Sequence, residues 1–228
     1  MIEANYMETP IVRCKDVVEL VFGLTQNEGF IAGGFARYCL SDNRNPITPN
    51  DIDVFCETEE IFNRIYDRFK EQAILVQKHV SEIEVKFEYK LASGFRKEVY
   101  NIQLIKPTEI MNMVSAGDYK KVLDNFDFTI AKCAITPELK GYCHPDFYEH
   151  DGLNKLSITN IHCPISSLKR AMKYCKRGYS ISSQELLKLF EDYEKRVQSW
   201  KDIVKQGLSG IDMDDDDRKK FIQTMYFD

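Results

Sequence analysis

The sequence predicts a mixed α+β core followed by a small helical extension, on three observations. Segments of alternating polar and apolar residues are interleaved with segments whose apolar residues recur at helical spacing. Two of the alternating segments are long and are separated only by a short stretch around Ser93-Gly94, as in a β-hairpin. Past residue 161 the pattern is helical alone.

Taken in chain order, Val17, Val18, Leu20, Val21 and Leu24 make residues 12–24 an amphipathic helix. Residues 29–32 form a short apolar run that ends in Gly33-Gly34, and residues 35–40 read as a second helix, giving strand, glycine turn, helix. Residues 42–50 are rich in Asn, Asp and Pro and form a loop. Residues 51–56 alternate and read as a strand. Ile61, Phe62, Ile65 and Phe69 place a helix over residues 59–72. The hairpin covers residues 80–91 and 98–105, a short helix residues 107–114, and a further strand residues 126–135. An edge strand over 156–161 precedes helices at 167–176 and 182–206, which Arg177-Gly178-Tyr179 separates. Asp212 and the Asp run at 214–217 read as a solvated turn before a final helix at 218–226. The expected division is a core of residues 1–160 and a helical extension of residues 161–228.

Bulk properties narrow the function. With 228 residues and 43% hydrophobic content the chain can bury a real core. A net charge of −5 argues against a protein that coats nucleic acid, although it leaves room for a local basic groove. Seven cysteines in no paired spacing, and no signal-like N-terminus, suit a reducing, cytoplasmic setting. No apolar run approaches the roughly 20 residues of a membrane helix, so no membrane partner is expected.

The chemistry concentrates in residues 30–56. Asp51 and Asp53 lie two apart on a strand, so both side chains point to one face. Neighbouring carboxylates repel unless a cation lies between them, and Mg²⁺ takes one or two carboxylates together with waters and phosphate oxygens. An Asp-x-Asp step alone is weak evidence; the buried strand and the upstream Gly-Gly turn strengthen it. Gly33 and Gly34 allow the backbone to approach a polyphosphate closely, with a helix start behind them. Arg37 is placed on that helix as a forked phosphate donor.

The run FIAGGFARYCL…NDIDVFC, residues 30–56, resembles the glycine turn and Asp-x-Asp signature of the DNA-polymerase-β-like nucleotidyltransferases. It is most similar to the head domains of CCA-adding tRNA nucleotidyltransferases and bacterial poly(A) polymerases. FDFTIAKCAI, residues 126–135, resembles their Arg-Arg-Asp-Phe-Thr-Ile segment, with matches at Asp127, Phe128, Thr129 and Ile130. PISSLKRAMKYCKRGY, residues 164–179, resembles their neck helix, with Arg170, Lys173 and Arg177-Gly178 in corresponding places. The resemblance implies a palm-like mixed sheet flanked by helices and a nucleotidyltransferase domain over residues 1–160, with a neck-like extension after it. It implies transfer of a nucleoside monophosphate from an NTP to an acceptor hydroxyl with release of pyrophosphate. Asp51 and Asp53 would hold Mg²⁺ (or Mn²⁺), with Asp127 a third catalytic carboxylate, and Gly33, Gly34, Arg37, Arg170 and Lys173 would bind nucleotide. The acceptor would be an RNA or tRNA 3′ end, or a protein side chain.

Three departures from the pattern follow. Gln103 falls where the family carries its third carboxylate, and a glutamine adds no negative charge and cannot act as a base. Either Asp127 or another acid then supplies the third ligand, or the site binds nucleotide and has lost most turnover, leaving a binding or structural module. Asn125-Phe126 replaces the family's Arg-Arg, and Tyr38 an Asp after Arg37. About 50 residues follow the neck match.

Other constellations were weaker. Cys143, His144, His150, His162 and Cys163 lack zinc-ligand spacing. Nothing matches a Walker loop or a Gly-x-Ser-x-Gly elbow. Lys169, Lys173 and Lys176 lie along one face of a helix, suited to triphosphate or an RNA backbone, or simply solvated.

Overall fold

The structure, a computed structural model, describes residues 5–43, 48–71, 76–80, 84–93, 96–107, 109–110, 113–114 and 116–207. The chain divides into two compact units, Met1–Asn160 and Ile161–Asp228.

The first unit is built on an eight-stranded mixed sheet. Its strands are β1 (Met7–Thr9), β2 (Phe30–Ala32), β3 (Asp51–Phe55), β4 (Val76–Val80), β5 (Glu84–Ser93) and β6 (Arg96–Ile105), with β9 (Cys133–Ile135) and β10 (Gly141–Cys143); β7 (Glu109–Ile110) and β8 (Met113–Val114) form a separate two-stranded pair. The order across the sheet is β1-β10-β9-β2-β3-β6-β5-β4. The β3–β6 pair is parallel and the other described pairs are antiparallel. The helices are α1 (Lys15–Thr25), α2 (Gly34–Leu40), α3 (Glu59–Glu71), α4 (Tyr119–Asp124) and α5 (Phe147–Gly152).

Two apolar layers hold this arrangement, one on each face of the sheet. α1 buries Val17, Val18, Val21 and Phe22, and α3 buries Phe62, Ile65 and Phe69, the stripe that helical spacing demands. Both stripes pack with α2 and with Ile31, Ile52, Val54, Ile102 and Leu104 of the sheet. On the opposite face Phe30, Phe55, Ile105 and Ala134 pack with Val122 and Leu123 of α4. Because side chains alternate along a strand, Ile52 and Val54 of β3 belong to the first layer, and Asp51, Asp53 and Phe55 to the second face. Ile102 and Leu104 of β6 likewise face the first layer, which puts Gln103 and Ile105 beside the β3 residues of the second.

Most elements lie where periodicity puts them, and the exceptions have local causes. Residues 107–114 were expected as a helix; the described part contains the β7–β8 pair, with Glu109 opposite Val114. Residues 126–135 were expected as one strand. Instead a 3₁₀ turn at Thr129–Ala131 precedes β9, because Phe128 bridges to Ile158 and Thr129 N–H bonds to Ser157 O at 3.1 Å. Val80 closes β4 rather than opening the hairpin. β1, β10, α4 and α5 were not anticipated; α4 begins at Asp118, whose carboxylate accepts from Lys121 N–H at 3.0 Å.

The second unit contains α6 (Pro164–Cys175), with Pro164 in its first turn, and α7 (Ser183–Gly207). Gly178 turns the chain at φ +93°. Arg196 Nη2 donates to Ile161 O at 2.7 Å, and Tyr174 and Tyr179 meet edge to face at 5.5 Å. The acidic run and the expected final helix lie outside the described residues. Among the described residues no helix is long and apolar enough to cross a membrane.

Candidate functional site

β3 carries Asp51 and Asp53, both half-buried, on the sheet face that α4 covers only in part. In the parallel pairing Asp53 is opposite Gln103, and Gln103 Nε2 donates to Asp51 Oδ2 at 2.9 Å. Gln103, where the resemblance leads one to expect a third carboxylate, thus stands beside the pair as a neutral donor. It occupies one Asp51 oxygen and contributes no charge.

The glycine turn lies beside the Asp53 carboxylate. Gly33 has φ +75° and ψ −134°, a conformation that side-chain-bearing residues rarely adopt. Its N–H donates to Cys133 O at 3.1 Å, and its carbonyl accepts from Arg37 N–H at 2.9 Å, so β9 and α2 fix the turn from both sides. A methyl group on Gly33 would lie 3.6 Å from Asp53 Oδ2 and 3.7 Å from Phe126 Cε2, whereas one on Gly34 would meet nothing within 4 Å. Gly33 and Asp53 thus meet at one corner, and the space around the neighbouring Gly34 is open.

Phe126 completes that corner and was not singled out as a site residue. Its ring lies 5.9 Å from Phe55, which stacks on Phe30 at 5.7 Å. Its backbone N–H donates to Leu123 O at 3.0 Å, and its carbonyl accepts from Thr159 Oγ1 at 3.2 Å. An aromatic where the family resemblance asks for arginine was the available signal.

Two expectations are corrected. Arg37 does not point to the glycine turn as a phosphate donor: it is 2% exposed, and its Nη1 pairs with Asp151 Oδ1 of α5 at 3.2 Å. Ser41 Oγ donates to the other oxygen of the same carboxylate. α2 packs into the Ile52–Val54 layer, which commits this guanidinium to the face away from the Asp51–Asp53 carboxylates. Asp127 is buried, and it does not complete a three-acid group with Asp51 and Asp53; among the described residues no three His, Cys, Asp or Glu side chains stand close enough to hold a metal ion. Asp127 and Asp124 instead face the buried Lys132, whose Nζ donates to Asp124 O at 3.1 Å. Burial pulls the Lys132 ammonium below its ordinary range, and the two carboxylates oppose that shift. Of the Cys/His-rich stretch that follows β9, His150 Nδ1 shares a 2.8 Å hydrogen bond with Thr129 Oγ1.

Arg170 and Lys173 are exposed on α6 of the second unit. Lys169, Met172, Lys173, Lys176 and Arg177 line a shallow basic depression of about 330 Å³ there.

The donor set of the corner suits one hard divalent cation. Two carboxylates on one strand face, one oxygen of Asp51 already bonded to an amide, leave a shell for water and phosphate oxygens to complete. A second ion would need the charge that Gln103 lacks.

Solved structures share this fold. A CCA-adding enzyme in complex with ATP superposes with a TM-score of 0.54 at 16% identity, over 79% of this chain and 44% of that one. The Thermotoga maritima CCA-adding enzyme complexed with tRNA gives 0.50 at 17% identity, over 78% and 42%. The chain therefore has a nucleotidyltransferase-like fold, similar to the head domains of CCA-adding enzymes. Among curated proteins, "Gabija anti-defense 2" of Bacillus phage SPbetaL7 is 26% identical over 201 residues, which is 86% of this chain and 46% of that protein. The chain thus spans about half the length of that relative. The family model described as "Gabija anti-defense 2 family protein" matches residues 7–152, well over half of the sequence. The chain belongs to the Gabija anti-defense 2 family.

Proposed function

We propose that this protein is a metal-dependent nucleotidyltransferase that acts against the Gabija defence by transferring a nucleoside monophosphate from an NTP to a hydroxyl of a Gabija protein. In that step the acceptor oxygen bonds the α-phosphorus, the bond to the β-phosphate breaks, pyrophosphate leaves, and the hydroxyl proton passes to solvent. The observation that carries the reading is the Gly33 turn, with its positive φ, standing against Asp53 on the strand face that also carries Asp51. Asp51 and Asp53 would hold one Mg²⁺ or Mn²⁺, which neutralises phosphate charge when bound. Gly33 and Gly34 bring backbone against the phosphates, and the first unit acts as the catalytic domain. The neck-like second unit offers Arg170, Lys173 and their neighbours to polyanions. The family name supports a target within Gabija and gives no support to RNA processing.

The Gln103–Asp51 hydrogen bond favours a second reading, a nucleotide-binding module with little turnover. Incubation with α-phosphate-labelled NTPs, Mg²⁺ or Mn²⁺, and either purified Gabija proteins or RNA separates the cases. Label on a Gabija protein that disappears in Asp51→Ala and in Asp53→Ala supports transfer. Metal-dependent NTP binding without label transfer supports the module. Label on RNA alone returns the acceptor to an RNA 3′ end, and absence of NTP binding defeats both readings.

A further inference from the structure

We infer that the nucleobase of the bound NTP stacks on Phe126, so that this protein takes nucleotides by their aromatic face with little discrimination among bases. The inference rests on the nucleotide reading of the Asp51–Asp53 corner and adds to it a substrate class and a specificity-determining residue. Phe126 is the aromatic side chain at that corner: its Cε2 and Asp53 Oδ2 lie 3.7 and 3.6 Å from the same point beside Gly33. A ligand whose phosphates rest on the glycine turn therefore has this ring within reach of its sugar and base.

The ring is built as a fixed platform. It ends the row Phe30–Phe55–Phe126, whose successive centroids are 5.7 and 5.9 Å apart, and its backbone is bonded on both sides to Leu123 and Thr159. A ring held this way loses little freedom when a ligand stacks on it. Phe126 is nevertheless half-buried rather than sealed, as it flanks the second apolar layer instead of filling it.

The neighbouring polar groups are engaged elsewhere. Asn125 Nδ2 donates to Lys121 O at 2.7 Å, Asn160 Nδ2 to Asp124 O at 3.0 Å, and Lys132 Nζ to Asp124 O. Arg37 is paired with Asp151. Beside the glycine turn Phe126 presents a hydrocarbon π-face, and every base has a π-face of its own. Stacking binds all four, whereas base selection requires directed donors and acceptors.

The test is calorimetric titration of the whole protein with α,β-methylene analogues of ATP, GTP, CTP and UTP, and with inorganic tripolyphosphate, in Mg²⁺. The expected result is four NTP affinities within about threefold and tripolyphosphate at least about tenfold weaker, the loss of one stacked base. Phe126→Leu, which keeps apolar packing against Phe55, should weaken all four NTPs by about tenfold and leave tripolyphosphate unchanged. Phe126→Tyr retains a ring and should bind like the parent. A preference of more than about thirtyfold for one base would overturn the inference, as would tripolyphosphate equal to ATP or an unaltered Phe126→Leu. Those three outcomes leave the nucleotidyltransferase reading intact; a parent protein that binds no NTP defeats that reading, and the inference with it.

Discussion

Gln103 Nε2 and Asp51 Oδ2 are joined by a 2.9 Å hydrogen bond across the parallel β3–β6 pair, in a register that also sets Gln103 opposite Asp53. The amide offsets the crowding of two neighbouring carboxylates by donating to one of them, where a third acid would add to it. The site can therefore persist without metal, and a metal arriving there finds less negative charge.

Gln103→Glu should reverse that balance. Without divalent cations the variant loses a donor and gains a like charge, and should be less stable by about 1–3 kcal/mol. That corresponds to roughly 2–4 °C in Tm for each kcal/mol in a chain of this size. Mg²⁺ or Mn²⁺ should restore stability more in the variant than in the parent, and label transfer should rise. Thermal melts with and without cation decide it; identical curves would mean that residue 103 does not act on the carboxylate pair.

Gly33 and Gly34 should separate on substitution. Gly33→Ala meets only ordinary contacts but places an alanine at φ +75°, so the cost is backbone strain of about 1–3 kcal/mol. Gly34→Ala meets nothing within 4 Å and should leave stability within about 0.5 kcal/mol of the parent. If the phosphates rest on this turn, a methyl there intrudes on them, so NTP affinity should fall about tenfold. Urea unfolding and NTP titration of both variants test the pair; a Gly34→Ala protein that binds normally would place the phosphates elsewhere.

What the sequence made legible was local. The β2–turn–α2 unit and β3 follow from apolar spacing and two glycines, and the place of Gln103 beside β3 was implied by the family resemblance. What it concealed was which side of an element a polar residue takes. Arg37 sits one turn beyond Gly33 and reads as a phosphate donor, yet Asp151, which claims it, lies 114 positions away. Asp127 fell in an expected strand, and the 3₁₀ turn that follows it, fixed by Ser157 and Ile158, set it beside Lys132 instead. Phe126 was visible only as a lost arginine; its place beside Gly33 needed α4, a six-residue helix too short to show a period.

Arg37 should behave as a stabilising residue. Replacing it with Ala leaves the buried Asp151 carboxyl without its guanidinium partner, at a cost of about 3–5 kcal/mol. Arg37→Met with Asp151→Leu removes both charges and should recover much of that loss. A urea series on the two single variants and the double variant supplies the coupling energy. Should Arg37→Ala keep its stability and lose only nucleotide affinity, the guanidinium would belong to the phosphates after all.

Acid sensitivity should trace in part to His144. Burial holds its imidazole below the ordinary 6.5, aided by Lys132 and His150, while the carboxylates of Asp146 and Asp124 oppose the shift. Its Nδ1 accepts from Asp146 N–H at 3.1 Å, a bond that a proton on Nδ1 would abolish. The unfolded chain thus takes up this proton at a higher pH than the folded one. The contribution is fully present above 6.5 and is lost as pH falls from 6.5 through the lower folded value. His144→Gln cannot titrate, so its stability should decline less than the parent's between pH 7 and 5. Urea midpoints for both proteins at several pH values in that range measure the difference, and parallel declines would assign the sensitivity to other groups.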